Sequence, residues 1–283
     1  MSKPRSTDGG NRWTAASKGI DRREFPRTPN QDLYKAFTLD EHQPSRLVLG
    51  GQSVWQTLDS GATWTGISQK GLSKGANVTA VAIAPSQRET LYAATSDGRF
   101  WATFDGGTNW LERDQGLPIA SGNATLDIAI DPAHPNHVFI QMTPGKAGQT
   151  RAQTVPIGDA TQGRVWMTID GGSSWTRLDC GIPTNLAVRS LAVDWLPGHL
   201  TLYAGTDQGV FFSSDLGMNW ASFGRGLPRA RRTRASDAVQ EVPHPRGGAL
   251  QARPSLRSAG RVLKSVGSGV RVNPGRAASR CVA

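Results

Sequence analysis

Short apolar runs in which large and small residues alternate recur along the first 227 residues, and each run ends at Pro, Gly, Asp or an adjacent polar residue. The first kind, VTAVAIAP and its relatives, stands at 78–85, 125–132 and 188–195. The second kind, TLYAATSDG and its relatives, stands at 90–98, 201–209 and, more loosely, 137–142. Such runs between turn residues are typical of β-strands, and no helical period competes with them. The pattern predicts an all-β chain.

An eight-residue phrase accompanies these strands and occurs five times, for example as TFDGGTNW at 103–110. Its aspartates are Asp8, Asp59, Asp105, Asp170 and Asp215, and its closing tryptophans are Trp13, Trp64, Trp110, Trp175 and Trp220. The aspartates are separated by 51, 46, 65 and 45 residues, which is the length of one four-stranded propeller blade. The phrase therefore marks one structural repeat.

Each repeat contains strand A, strand B, strand C, the phrase and then strand D, which predicts a β-propeller of four-stranded antiparallel blades. We predict a propeller domain at 1–227 that holds a partial blade at 6–20 and blades at about 33–72, 77–117, 125–182 and 187–227. The final 56 residues, 228–283, are predicted to form a separate basic and disordered tail.

The repeated aspartates are predicted to be structural. The glycine two residues after each Asp suits a tight turn that needs a positive φ, as Gly107 does after Asp105. The Asp carboxylate can accept the N–H groups of that turn, and the Ser or Thr hydroxyl two residues earlier can bond locally. The tryptophan is expected to fill space against a neighbouring strand. Five similar acids in five blades cannot share one active site.

The combination LYAATSDGRFWATFDGGTNW, with GLP after it, resembles the Asp-box (BNR) repeat. That repeat is found in sialidases, sortilin-type receptors, xyloglucan-cleaving endoglucanases and photosystem II assembly factors. The resemblance covers about 6–227 and implies a β-propeller whose boxes are structural. It leaves two functions open. One is a non-enzymatic protein-binding or assembly scaffold, and the alternative is a glycoside hydrolase propeller, or a fragment of one, that binds carbohydrate.

The catalytic residues of these enzyme families find no match in the sequence. The Arg-Ile-Pro motif of sialidases does not occur, and the three tyrosines are Tyr34, Tyr92 and Tyr203. The last two occupy equivalent strand positions and are predicted to be core residues. Xyloglucanase-like enzymes use two aspartates on separate propellers, and this chain is too short for two propellers. The sequence therefore favours the scaffold, with no cofactor.

Ligands of propellers usually bind at the channel face, opposite the turns that carry the Asp boxes. On that face we expect a protein or a carbohydrate to bind. Asp127 stands there among small residues; it is a weak catalytic candidate, and it could instead pair with Arg189 of the next blade. A long B–C loop at 143–163 carries Lys146, Arg151 and Asp159, which either bind a ligand or form a solvated decoration, and Arg189 is a further weak candidate for ligand binding.

His134 and His137 lie in an A–B turn on the Asp-box face, and the sequence predicts no metal site there or elsewhere. There is also no phosphate-binding glycine loop and no Ser-His-Asp signature. No apolar run is long enough to span a membrane as a helix, and no signal peptide precedes the first box. The place where the protein acts in the cell is left open.

The net charge of +10 comes from the tail. Residues 228–283 hold 12 Lys and Arg against two Asp and Glu, whereas 1–227 holds 20 of each sign. The tail has no Trp, Tyr, Phe or Ile and cannot bury a core. It is either a basic arm through which nucleic acid could bind, or an aberrant extension on a propeller that should have continued, which is the alternative we favour.

Overall fold

The computed structural model describes residues 4–21, 24, 36–68, 71–119, 124–143, 165–183, 186–196 and 199–224. The predicted tail and the long B–C loop, apart from Thr143, lie outside these residues. Each of the four full repeats forms one four-stranded antiparallel sheet, so the predicted all-β fold class is confirmed. Across the described residues there is no helix that could span a membrane.

The strands follow one another in chain order within each sheet, from strand A at the inner edge to strand D at the outer edge. The N-terminal hairpin consists of β1 (Pro4–Arg5) and β2 (Thr14–Ala15). Blade 1 consists of β3 (Phe37–Leu39), β4 (Leu47–Gly50), β5 (Val54–Thr57) and β6 (Thr65–Gly66). Blade 2 consists of β7 (Val78–Ile83), β8 (Leu91–Thr95), β9 (Phe100–Thr103) and β10 (Leu111–Glu112).

Blades 3 and 4 repeat this order with longer inner strands. Blade 3 consists of β11 (Ala124–Ile130), β12 (Val138–Thr143), β13 (Val165–Thr168) and β14 (Thr176–Arg177). Blade 4 consists of β15 (Val188–Leu196), β16 (His199–Thr206), β17 (Gly209–Ser213) and β18 (Ala221–Phe223). Strand A of blades 2, 3 and 4 has a β-bulge at the same place, and the extra residues there are Thr79, Leu126 and Arg189.

The core lies between neighbouring blades. Tyr92 and Phe100 of blade 2 are fully buried and stack at 5.8 Å, and they join Ile140 and Met142 of blade 3 in one apolar cluster. Tyr92 is therefore a core residue, as predicted. Tyr203 is only half-buried, because it lies in the last described blade, where its ring packs edge-on against Phe223.

The A–B turns of blades 1, 2 and 3 share one seven-residue backbone. These turns are 40–46, 84–90 and 131–137, and in each the same three hydrogen bonds link the first, fourth and seventh residues. The carbonyl of the sixth residue accepts a hydrogen bond from the N–H after the box aspartate of the same blade; the acceptors are Ser45, Glu89 and Asn136. The A–B turns and the Asp boxes therefore lie on the same face.

Candidate functional site

Each Asp box is a closed hydrogen-bonded turn, as Asp105 illustrates. Its Oδ1 accepts the Thr103 hydroxyl at 2.7 Å and the Asn109 backbone N–H at 2.9 Å, and its Oδ2 accepts the Asn109 side-chain amide at 2.7 Å. The hydrogen bond from the Asn109 backbone N–H has the largest effect on the pKa of the Asp105 carboxyl. Together with the hydrogen bonds from the Asn109 side chain and the Thr103 hydroxyl, it lowers this pKa to about 2. The carboxylate thus holds its own turn.

The box tryptophans join each blade to the unit before it. In four boxes the indole N–H donates to a backbone carbonyl three residues beyond the tryptophan of the preceding box, so that the hydrogen bond crosses between units. The pairs are Trp64 to Ala16 at 2.9 Å, and Trp110 to Ile67, Trp175 to Arg113 and Trp220 to Leu178 at 2.8 Å each. We call this contact the interblade latch. Trp13, in the first box, is 63% exposed.

The glycine two residues after the box aspartate packs, in blades 2 and 3, onto the same residue whose carbonyl the tryptophan binds. A Cβ on Gly107 would lie 2.8 Å from the Ile67 carbonyl oxygen, and one on Gly172 would lie 3.1 Å from the Arg113 carbonyl oxygen. Both glycines also have positive φ, at 97° and 91°. Glycine is therefore needed for the turn and for the close approach of two blades.

Asp127, the sequence-predicted catalytic candidate, lies between two inner strands. Its Oδ2 accepts the backbone N–H of Leu191, in strand A of blade 4, at 2.9 Å. Arg189 instead forms a two-pronged ion pair with Asp207 of its own blade, with both distances at 3.0 Å. Arg189 is the extra residue of the strand A bulge in blade 4.

Three of the predicted ligand-binding residues, Lys146, Arg151 and Asp159, lie outside the described residues. The structure gives no contact for any of them, so their role stays a prediction.

A cavity of about 230 Å³ lies where the inner strands reach the A–B turns. Leu39 and Glu41 line it from blade 1, Ile83 and Pro85 from blade 2, Ile128 and Ile130 from blade 3, and Trp195 from blade 4. We call this opening the channel mouth. The channel mouth lies on the Asp-box face. The sequence favoured the opposite face, the channel face, for ligands. Its lining residues lie at or just beyond the ends of the A strands, and the sequence pattern does predict where those strands end.

The groups that border the channel mouth are mainly apolar, and the buried acid there is already bound. Leu39 is 46% exposed and Trp195 packs edge-on against Phe139. Asp40 is buried: its Oδ1 accepts two backbone N–H groups of its own turn, and its Oδ2 pairs with Arg46 at 3.3 Å. Glu41 contributes an exposed carboxylate at the edge. The mouth thus offers apolar side chains beside polar main-chain and carboxylate groups.

A second group of side chains stands on the A–B turn of blade 3. Asp131 Oδ2 lies 2.9 Å from His134 Nδ1 and 3.5 Å from His137 Nδ1, and the two imidazole rings stack at 4.7 Å. The ligand atoms of the three residues all lie within 4.8 Å of one another. The sequence singled out the two histidines but not the aspartate that faces both of them.

Comparisons with known proteins identify the repeat architecture of this chain. The family model for sortilin (neurotensin receptor 3, Sortilin-Vps10) matches residues 52–185. No curated protein sequence matches the chain significantly. The GH74 enzyme of Niastella koreensis is similar in structure, with 19% identity and a TM-score of 0.55 over 77% of this chain and 33% of that one. The chain thus spans about a third of that enzyme's length.

Two further solved structures are less similar. The GH74 xyloglucanase of Xanthomonas campestris has 17% identity and a TM-score of 0.48 over 66% of this chain and 29% of that one. YCF48 of Cyanidioschyzon merolae has 17% identity and a TM-score of 0.44 over 71% of this chain and 59% of that one. With the four repeated sheets, the comparisons bear out the predicted Asp-box β-propeller architecture.

Proposed function

We propose that this Asp-box β-propeller is a non-enzymatic binding scaffold whose channel mouth holds an apolar segment of a partner protein. The observation that carries the proposal is the lining of the channel mouth, to which all four blades contribute apolar side chains. Rigid strands present these side chains, so little conformational entropy is lost when a partner docks.

The chemistry of the partner follows from the same lining. Large aliphatic or aromatic side chains would bury apolar area against Leu39, Ile128 and Trp195, and area removed from water contributes about 25 cal/mol per Å². The exposed carboxylate of Glu41 would pair with a Lys or Arg that flanks the apolar segment. A peptide with apolar residues beside a basic one therefore fits this site.

Leu39→Lys is expected to remove this binding and leave the fold intact. Leu39 is 46% exposed, so the change costs little stability, but a docked apolar segment would remove the new charge from water. The measurement is the selection of peptides from a displayed random library by the full chain, followed by the affinity of the selected peptides. We expect the wild type to enrich peptides that combine apolar and basic residues. Leu39→Lys should weaken the affinity for the selected peptides at least tenfold.

Leu111→Lys is the matched control. Leu111 is 45% exposed, as Leu39 is, but it lies on the outermost strand of blade 2. It should bind the selected peptides as the wild type does. Equal loss in both variants, or enrichment of acidic and polar peptides, would contradict the proposal.

The glycoside hydrolase alternative depends on Asp127, and the environment of this residue argues against it. One carboxylate oxygen of Asp127 accepts the Leu191 N–H, so it serves the joint between blades 3 and 4. We expect the purified protein to release no reducing sugar from xyloglucan, β-glucan or sialosides. Release of sugar that Asp127→Asn abolishes, with the melting temperature unchanged, would favour the enzyme.

A further inference from the structure

We propose that Asp131, His134 and His137 form a binding site for a divalent transition metal of the zinc class on the A–B turn of blade 3. The three side chains offer one carboxylate oxygen and two imidazole nitrogens, a donor set that suits Zn²⁺ and its neighbours rather than Mg²⁺ or Ca²⁺. The proposal does not depend on what the channel mouth binds.

The spacing of the donor atoms fits such an ion. Ligand atoms that hold Zn²⁺ tetrahedrally at about 2.0–2.1 Å lie about 3.3 Å from one another. The two Nδ1 atoms of His134 and His137 lie 2.9 and 3.5 Å from Asp131 Oδ2. The ligand atoms of all three residues lie within 4.8 Å of one another, and the 62% exposed His134 side chain has room for its ring to turn toward an ion.

In the equivalent turn of blade 1 a cationic side chain faces the aspartate. Asp40 and Arg46 occupy the first and seventh positions of that turn, where Asp131 and His137 stand in blade 3, and the Arg46 guanidinium lies 3.3 Å from the Asp40 carboxylate. In blade 3 no arginine takes this place in the turn, and two imidazoles face the carboxylate instead. A metal ion would restore the positive charge.

The backbone of the blade 3 turn is held on both sides, so its ligands are preorganised. The Tyr92 hydroxyl of blade 2 donates to the Pro135 carbonyl at 2.9 Å, and the Gly171 N–H of the Asp box donates to the Asn136 carbonyl at 3.1 Å. Ligands on a fixed turn lose less conformational entropy when they assemble around the ion. Three protein ligands leave one tetrahedral position open to water or to a side chain of a partner.

The test is calorimetric titration of the metal-free full chain with Zn²⁺, beside its thermal melting with and without Zn²⁺. We expect saturable binding and a rise in melting temperature. The triple variant Asp131→Ala, His134→Gln, His137→Thr should lose both effects. It reproduces the first, fourth and seventh residues of the blade 2 turn, Ala84, Gln87 and Thr90, whose backbone is the same.

Two single variants separate metal binding from a purely structural role. His137→Arg copies blade 1, so it keeps a cation beside Asp131 and should keep the metal-free melting temperature, but it should weaken Zn²⁺ at least tenfold. Loss of an outer-shell partner alone costs about 10–100-fold in affinity, and a ligand should cost at least as much. His42→Gln, an exposed histidine of the blade 1 turn, should bind as the wild type does.

The proposal fails in either of two cases. The first is a wild-type chain that shows no Zn²⁺ binding up to millimolar concentration. The second is Zn²⁺ binding that the triple variant or His137→Arg retains at full strength.

Discussion

Gly217→Ala is expected to lower the free energy of unfolding by about 2–5 kcal/mol. Gly217 stands two residues after the box aspartate of blade 4 and has a φ of 77°, which costs an alanine about 1–2 kcal/mol. Its Cβ would also lie 2.7 Å from Leu178 Cβ and closer still to the Leu178 carbonyl, which accepts the latch of Trp220. Forced overlap in a packed interface adds about 1–3 kcal/mol. Chemical denaturation measures the sum.

Gly61→Ala separates the two causes. Gly61 holds the same place in the blade 1 box and has a φ of 88°, but the nearest atoms to its Cβ would lie at 3.6 and 3.7 Å, which is ordinary contact. It should lose only the conformational part, so it should be clearly more stable than Gly217→Ala. Equal losses at the two sites would show that blade contact contributes nothing at Gly217.

Trp175→Ala is expected to cost about 3 kcal/mol, because it removes both the latch and a packed ring. The Trp175 indole donates to the Arg113 carbonyl at 2.8 Å and packs edge-on against Phe100 at 4.9 Å. Trp175→Phe keeps most of the ring but loses the N–H, so it should cost about 1 kcal/mol through the hydrogen bond alone. Thermal and chemical denaturation of the two variants give both values.

Trp13→Ala is the control for the latch. Trp13 closes the first box in the same way but is 63% exposed. Its removal should change the free energy of unfolding by less than about 0.5 kcal/mol, as surface substitutions usually do. A loss at Trp13 as large as that at Trp175 would mean that the tryptophan stabilises its own hairpin rather than the joint between units.

The repeated sheets could be predicted from the sequence because their signals are local. The alternation of apolar residues and the eight-residue phrase lie within single strands and turns, such as the turn around Asp105. The latch could not be predicted, because its acceptors are backbone carbonyls 42 to 62 residues away in the chain. Ala16, Ile67, Arg113 and Leu178 have no side-chain property in common.

The contacts of individual polar residues could not be predicted from the sequence for a similar reason. Asp127 stands out among small residues, but its partner is the main-chain amide of Leu191, which any residue would supply. Asp131 belongs with His134 and His137 only because the turn folds back at 131–137. A spacing of three residues suggests one face of a helix, whereas 131–137 is a turn between two strands.

The interblade latch also gives the order in which the molecule can assemble during translation. Every latch donor is a tryptophan later in the chain than its acceptor, as Trp110 is later than Ile67. When the ribosome releases a new blade, the carbonyl that its indole needs has already been synthesised. Each of these four blades can then add to a surface that is already made, in order from the N-terminus.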